Sequence, residues 1–227
     1  MTWRAVLGPV AGAVTAVAAL GYAQATLPAQ PLISDYALVP GGMLPVLVGT
    51  LALAAACLSL AYGLAAREPA RTAATRVLLL AGAAGLMLSA IFPTDPGMSD
   101  VSTLTGEIHR WSAAVVFTAL PVAGWTLTRG RAAAPRWSAV KALSVTSGLT
   151  LAAYLAAHPA ALTSSLIDGE TYYGLLERGV VLAEIVLVVA MALASVPRRA
   201  AARVQGTRAT GAPAQPAQPE SPQRLAA

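Results

Sequence analysis

The sequence predicts an all-α membrane protein, a bundle of six transmembrane helices. Of its 227 residues, 56% are hydrophobic and only 11% are charged, whereas soluble domains contain about 25% charged residues. Six apolar runs are each long enough, at about 20 residues, to cross a bilayer core of about 30 Å as a helix. Most Lys and Arg residues are confined to alternate gaps between these runs. Together these observations predict both the number of spans and their topology.

The predicted helices follow one another with short connections. They cover, in chain order, 5–25, 43–66, 77–92, 108–127, 140–158 and 173–196. Backbone polar groups inside hydrocarbon must be paired within the chain, so runs of this length are predicted as helices. The third run is short, and it is expected to extend back over Arg76, whose long side chain reaches the interface. No connection is long enough to bury a core of its own, so residues 1–196 are predicted as one transmembrane domain.

The charges predict which way the bundle faces. All 15 Lys and Arg residues except Arg110 and Arg178 lie before the first run, in the second and fourth gaps, at the very start of the fifth run (Lys141), or after the sixth run. The positive-inside rule makes that side cytoplasmic and places both termini there. The other gaps and the start of the sixth run carry acids, namely Asp35, Asp95, Asp100, Glu107, Asp168, Glu170 and Glu177. The net charge of +5 is spread over membrane-flanking loops, so the predicted partner is the lipid bilayer and not a nucleic acid.

The two ends of the chain need separate interpretations. Residues 1–25 resemble a secretory signal with an A-x-A cleavage site at 23–25, but the apolar run is long enough to span, so we expect a retained helix. Residues 197–227 are predicted to be a disordered cytoplasmic tail. Four prolines recur there at every third position, from Pro213 to Pro222, which favours extended polyproline II.

The most unusual stretch lies between the third and fourth runs. Prolines bracket Asp95 in Phe92-Pro-Thr-Asp-Pro96, and they restrict the directions that its carboxylate can take. Thr105 is predicted as the N-cap of the fourth helix, with Glu107 in the first turn, where the helix dipole favours an anion. His109 and Arg110 follow at the membrane edge. Capping alone requires no histidine, so we predict a binding site here.

His158 is predicted to end the fifth helix before Pro159, at the same membrane face as His109. Two histidines and Asp95 suit zinc by residue type. However, no close ligand pair such as H-x-x-x-H is present, so the spacing does not predict a metal site. The chain also lacks a Walker loop, a nucleophile elbow and a dinucleotide-binding glycine pattern, and no cofactor is predicted.

The sixth run carries Glu177, Arg178 and, near its middle, Glu184. A carboxylate at that depth costs about 2.5–3.5 kcal/mol on insertion scales and usually faces a bundle interior or a wet cavity. Such surroundings favour the protonated carboxyl. Either Glu184 handles protons, or it forms hydrogen bonds that hold helices together.

At these residues the chain resembles a bacterial family of six-span membrane proteins called "domain of unknown function 998". The resemblance is carried by Phe92-Pro-Thr-Asp-Pro96, by Gly106-x-x-His109 and Ala113-Ala114, and by Gly174-Leu-x-Glu-Arg178. It covers about residues 5–196 and implies a helical bundle with these motifs at one membrane face, where Asp95, His109, Glu177 and Arg178 are motif residues. The implied location is the bacterial plasma membrane.

Three functions remain open at this point. The leading hypothesis is an outward-facing polar cup that binds a small polar molecule or a lipid head group, with proton exchange at Glu184 beneath it. The cup residues are Asp95, Glu107, His109, Arg110, His158, Glu177 and Arg178. The alternatives are a lipid-modifying enzyme or hydrolase that uses His109 as a base with Asp95, and a non-catalytic subunit of a membrane complex. The sequence favours a non-enzyme and leaves the oligomeric state open.

Overall fold

A computed structural model describes residues 4–96, 103–163 and 169–196. Within these ranges, the side chains at 4–5, 158–163 and 169–171 are not described. The described chain forms six α-helices: α1 Arg4–Thr26, α2 Met43–Ala65, α3 Ala73–Ile91, α4 Leu104–Thr128, α5 Pro135–Thr163 and α6 Gly169–Ala194. A short 3₁₀ helix, Ser34–Leu38, lies between α1 and α2. The described residues contain no strand, and the all-α prediction is confirmed.

Five of the helices, α1 to α5, are long and apolar enough to cross a membrane. The sixth helix also has sufficient length, at 26 residues, but it carries Glu177, Arg178 and Glu184. It packs against α1, α2, α4 and α5, so these three polar residues sit on a helix that is surrounded by its neighbours. Each other helix packs against the next one in the chain. The arrangement is that of a six-span bundle, and the protein is a multi-pass membrane protein.

Small residues allow these helices to approach closely. A Cβ at Gly12 would overlap the backbone of α2 at Ala52, and a Cβ at Gly85 would overlap the backbone of α4 at Ser112. Gly8, four residues before Gly12, lies against the Ser59 side chain on α2. The Gly8–Gly12 spacing is therefore used inside the bundle, between α1 and α2.

Loops at one end of the bundle, 66–72 and 129–134, together with Ser195 and Val196, form what we call the basic end. Arg131 forms a two-pronged ion pair with Glu68, at 3.0 and 2.7 Å, and this hydrogen-bonded partner lowers the pKa of Glu68. Arg67 donates to the Ser195 carbonyl at 2.8 Å and Arg136 to the Val196 carbonyl at 2.9 Å. These arginines satisfy carbonyls that the end of α6 would otherwise leave unpaired.

Packing differs between the two halves of the bundle. Next to the basic end, large side chains are fully buried, including Leu60, Leu79, Leu120 and Met191. The other half lies beneath loop 27–42, residues 92–96 and Thr103, which together we call the acidic end. There the helices surround a cavity. The tightly packed half holds the bundle together, and the hollow half is where a ligand has room.

Several helix boundaries differ from the sequence predictions. As expected, α3 extends back over Arg76. The N-cap of α4 is Thr103 instead of Thr105, because the Thr103 side chain accepts a hydrogen bond from the Gly106 amide. Helix α5 does not end at His158 but continues through Pro159 to Thr163, as transmembrane helices can when neighbouring groups compensate for the missing proline donor. The predicted tail, 197–227, lies outside the described residues.

Candidate functional site

The first motif at the acidic end is built around Asp95. Its carboxylate accepts hydrogen bonds from the Thr103 amide at 3.1 Å and the Thr103 hydroxyl at 2.7 Å. The same hydroxyl accepts from the Gly106 amide at 3.0 Å and so begins α4. Gly106 lies directly against the Asp95 carboxylate, and a Cβ there would overlap it. Asp95, Thr103 and Gly106 thus form one unit that joins the end of α3 to the start of α4.

His109 lies one turn further along α4 and contacts the end of α3. Its Nδ1 is 2.9 Å from the Phe92 carbonyl oxygen and 3.1 Å from the Ser89 carbonyl oxygen. Carbonyl oxygens only accept hydrogen bonds, so Nδ1 carries a proton. In the neutral ring, Nε2 is then the atom with a free lone pair. This arrangement fixes the tautomer and leaves Nε2 available as an acceptor or a base.

The motif Gly174–Arg178, at the start of α6, holds loop 27–42 against that helix. Glu177 accepts a hydrogen bond from the Ile33 amide at 2.6 Å. Arg178 donates to the carbonyl oxygens of Gln30, Pro31 and Gly174, each at 2.8 Å, and to the side-chain oxygen of Gln24 at 3.0 Å.

Gly174 explains why this motif begins with a glycine. A Cβ at Gly174 would overlap the Pro31 carbonyl, so only glycine allows the loop to lie this close to α6. Arg178 directs its donors to backbone carbonyls and to the Gln24 side chain. Together with Glu177, it holds the loop that covers the cavity.

Asp35 belongs to this loop and its side chain is buried; sequence reasoning named it only as one of the acids. The Leu32 amide donates to its Oδ2 at 3.3 Å, while Oδ1 is buried without a hydrogen-bond partner in the described part of the chain. Burial raises the pKa of Asp35, and the Leu32 hydrogen bond and the charges of His109 and Arg178 oppose that rise. Asp35 is therefore a carboxyl that the fold holds at an energetic cost.

The cavity has a volume of about 340 Å³ and extends from the two motifs toward the middle of α6. Its lining includes five of the predicted site residues: Asp95, His109, Arg110, Glu177 and Glu184. Of the other predicted residues, Glu107 is exposed in the first turn of α4 and Arg178 holds the loop. His158 lies on α5, but its side chain is outside the described set. Five of the eight predicted site residues therefore line one cavity.

Glu184 is the innermost ionisable group of the cavity. Its side chain is 1% exposed, and its Oε1 has no hydrogen-bond partner among the described residues. Glu177, which lies about two turns closer to the acidic end, is also buried, but the Ile33 amide satisfies it. Glu177 and Glu184 therefore differ, because the protein donates a hydrogen bond to Glu177, whereas Oε1 of Glu184 has no partner among the described residues.

Sequence reasoning missed an aromatic wall. The rings of Tyr154 on α5 and Tyr173 on α6 stack with centroids 4.3 Å apart, and Phe117 on α4 meets Tyr154 edge-on at 6.3 Å. All three line the cavity. A signal was present, since Tyr173 precedes Glu177 by four residues and therefore shares its helix face. Ser89 on α3, another lining residue that the sequence did not single out, has a buried hydroxyl without a partner among the described residues.

Within the described ranges, no group of three or more His, Cys, Asp or Glu side chains is arranged to hold a metal ion. The cavity lining is mostly aliphatic and aromatic, with a smaller number of polar groups among these side chains. This composition is typical of sites that bind small organic molecules, where a few polar groups orient a ligand within apolar walls.

The fold and the site together define a multi-pass helical membrane protein with an internal cavity lined by ionisable residues. The chain belongs to the family described as "Protein of unknown function (DUF998)", whose model matches residues 5–194. This match confirms the resemblance that the three motifs indicated. Comparison with the curated proteins and comparison with the solved structures each gave no match.

Proposed function

We propose that the protein binds and transports a small polar molecule or lipid head group through this cavity, with proton exchange at Glu184. The observation that carries the proposal is the cavity itself, which links the motif residues at the acidic end to a buried carboxyl without a partner in the described chain. A buried, unpaired polar group is costly. A ligand that supplies a hydrogen bond or a charge at this point would offset that cost.

The proposed orientation follows from the arginines of the basic end. Under the positive-inside rule, that end faces the cytoplasm, both termini are cytoplasmic and the acidic end faces outward. The cavity then opens toward the outer side of a bacterial plasma membrane. A ligand would enter past loop 27–42, which Glu177 and Arg178 hold against α6.

Ligand binding is tested by identifying the small molecules that co-purify with the protein. Wild-type protein in nanodiscs would be extracted and the extract compared by mass spectrometry with that of Ala113→Trp, which places a large ring in the cavity lining. We expect a molecule that the wild type carries and Ala113→Trp lacks. Glu107→Gln, a change at an exposed position of the same helix, should retain it. Identical extracts from all three proteins would refute a ligand-binding cavity.

Proton exchange is tested with the molecule so identified. Uptake into proteoliposomes should depend on a pH gradient in the wild type, because Glu184 must exchange its proton during the cycle. Glu184→Gln cannot exchange a proton and should lose that dependence, whereas Glu107→Gln should keep it. Unaltered pH dependence in Glu184→Gln would exclude the proton role while leaving ligand binding intact.

The geometry of His109 supports a second function, a membrane-embedded lipid hydrolase. With Nδ1 bonded to carbonyls, Nε2 is left to act as a general base toward the cavity. Purified protein incubated with vesicles of mixed phospholipids would release fatty acid or head group, and His109→Gln would not. Absence of any lipid product with the wild type would exclude this alternative.

A further inference from the structure

The Glu184 carboxyl, whose Oε1 has no partner among the described residues, indicates which charge a ligand of this cavity would have. Among the described residues, the ion pair of the bundle joins Glu68 and Arg131 at the basic end, and no cation is paired with Glu184. A ligand that reaches this depth meets a single acidic group in apolar surroundings. The group that pairs best with it is a cation or a strong hydrogen-bond donor.

The groups that face the inner cavity from each helix support a positive ligand. Helix α1 contributes Leu20 and α2 contributes Thr50 and Leu53, none of which is charged. Cys57 on α2 is fully buried, and its thiol is an uncharged group. Helix α3 contributes Leu86 and the uncharged hydroxyl of Ser89, and α5 contributes two leucines and Tyr154.

The charged lining residues lie nearer the acidic end. Asp95 and Glu177 already accept hydrogen bonds from the protein, so they are not the groups that lack a partner. His109 is anchored through Nδ1, and Arg110 is exposed at the surface of α4. Arg110 would repel a cation at the entrance and attract an anion. The sign of the ligand's charge therefore needs a direct test.

The aromatic wall formed by Phe117, Tyr154 and Tyr173 favours a positively charged ligand. Stacked Tyr154 and Tyr173, together with Phe117, present rings to the cavity. Ring faces attract organic cations, most strongly where water is excluded. The aliphatic remainder of the lining suits the apolar substituents of such a molecule.

We propose that the ligand is a lipophilic organic cation, an amine or quaternary ammonium with apolar substituents, which displaces the proton of Glu184. This inference rests on the proposed function and adds the chemical class of the ligand. The exchange is balanced: the neutral carboxyl releases one proton to water, and the carboxylate that remains pairs with the permanent cation. The net charge of the cavity is the same before and after.

The test uses two probes of matched shape and opposite charge, tetraphenylphosphonium and tetraphenylborate. Binding to wild-type protein in phosphatidylcholine nanodiscs would be measured by calorimetry against empty nanodiscs, with a pH indicator in weak buffer to count released protons. We expect tetraphenylphosphonium to bind with release of about one proton, and its affinity to rise about tenfold per pH unit while Glu184 is protonated. Glu184→Gln should release no proton, and Glu68→Gln, a change at the basic end away from the cavity lining, should behave as the wild type.

The alternative outcomes separate this inference from the proposed function. Binding of tetraphenylborate but not of tetraphenylphosphonium would overturn the cation and point to an anionic ligand at Arg110. Binding of neither probe, or cation binding without proton release, would also overturn it. In each case the co-purification experiment still decides whether the cavity holds a ligand. The pH dependence of wild-type binding provides a readout that does not require a variant to fold.

Discussion

Gly106 illustrates how one missing side chain positions a functional residue. The Asp95 carboxylate packs directly against the backbone of Gly106. The motif Phe92–Pro96 and the motif Gly106–His109 are therefore in contact. Asp95 also depends on Thr103 for both of its described donors. These contacts fix the start of α4 at the acidic end. They therefore also position His109, which lies three residues beyond Gly106.

Gly106→Ala should lower the free energy of unfolding by about 1–3 kcal/mol, because the added methyl group forces the Asp95 carboxylate to move. Thermal or denaturant unfolding in detergent would measure the change. Gly148→Ala is the matched control, since a Cβ at Gly148 meets no described atom within 4 Å. That control should be neutral or slightly stabilising. Equal stability of the two variants would contradict the contact with Asp95.

Asp35 makes a prediction about pH. Burial raises its pKa in the folded protein, so the folded state binds this proton more tightly than the unfolded chain does. Its contribution to stability is present below the unfolded pKa of about 3.9 and is lost as pH rises through the folded pKa. The Tm of the wild type, relative to that of Asp35→Asn, should therefore fall over the pH interval that begins at about pH 4 and extends upward. A relative Tm that rises over the same interval would contradict the burial of Asp35.

Loop 27–42 and helix α6 behave as one element because side chains of α6 satisfy the loop backbone. Glu177 accepts from Ile33, and Arg178 donates to Gln30 and Pro31. The guanidinium can reach several carbonyls at once, since it carries five donors in a fixed planar fork. The 3₁₀ helix Ser34–Leu38 begins directly after this clamp.

Arg178→Lys should loosen the loop, because a single ammonium group cannot hold the carbonyls of Gln30, Pro31 and Gly174 in the same geometry. Hydrogen–deuterium exchange should accelerate at least severalfold in peptides that cover residues 28–36. Arg131→Lys at the basic end breaks a comparable fork with Glu68 and serves as the matched control. It should leave exchange in residues 28–36 unchanged. Protection that persists in Arg178→Lys would show that the clamp does not hold the loop.

The bundle as a whole is asymmetric along the membrane normal, with a packed half toward the basic end and a hollow half toward the acidic end. The basic end is closed by arginines that bond carbonyls and Glu68. The acidic end is closed by loop 27–42 and by the Asp95 segment. The cavity lies in the acidic half, and α6 carries ionisable groups from that end to its middle.

Cysteine labelling tests which end faces outward. In a chain whose buried Cys57 is replaced by Ala, a cysteine at Glu107 marks the acidic end and a cysteine at Ala133 marks the basic end; both positions are exposed. A membrane-impermeant maleimide should label Glu107→Cys in intact spheroplasts and Ala133→Cys only after permeabilisation. The reverse pattern would invert the bundle and place the cavity on the cytoplasmic side.

The local features of the sequence predicted local structure well. Hydrophobic length located all six helices, and the extension of α3 over Arg76 followed from its long side chain. The errors fell at boundaries, where Thr103 instead of Thr105 begins α4 and α5 continues beyond His158. A helix end is decided by which hydroxyl or carbonyl meets the last backbone groups, and two nearby threonines cannot be distinguished by type alone.

The sequence by itself determined that this chain forms a six-span helical bundle, because helix length and hydrophobicity are properties of short segments. The tertiary structure decided which of the ionisable residues are already satisfied and which are not. Glu177 accepts a hydrogen bond from the amide of Ile33, a residue 144 positions away. Glu184 lies about two turns deeper on the same helix and lines the cavity. Hydrogen-bond partners come from segments distant in the chain, so only the packed bundle could separate a structural glutamate from the one that a ligand would complete.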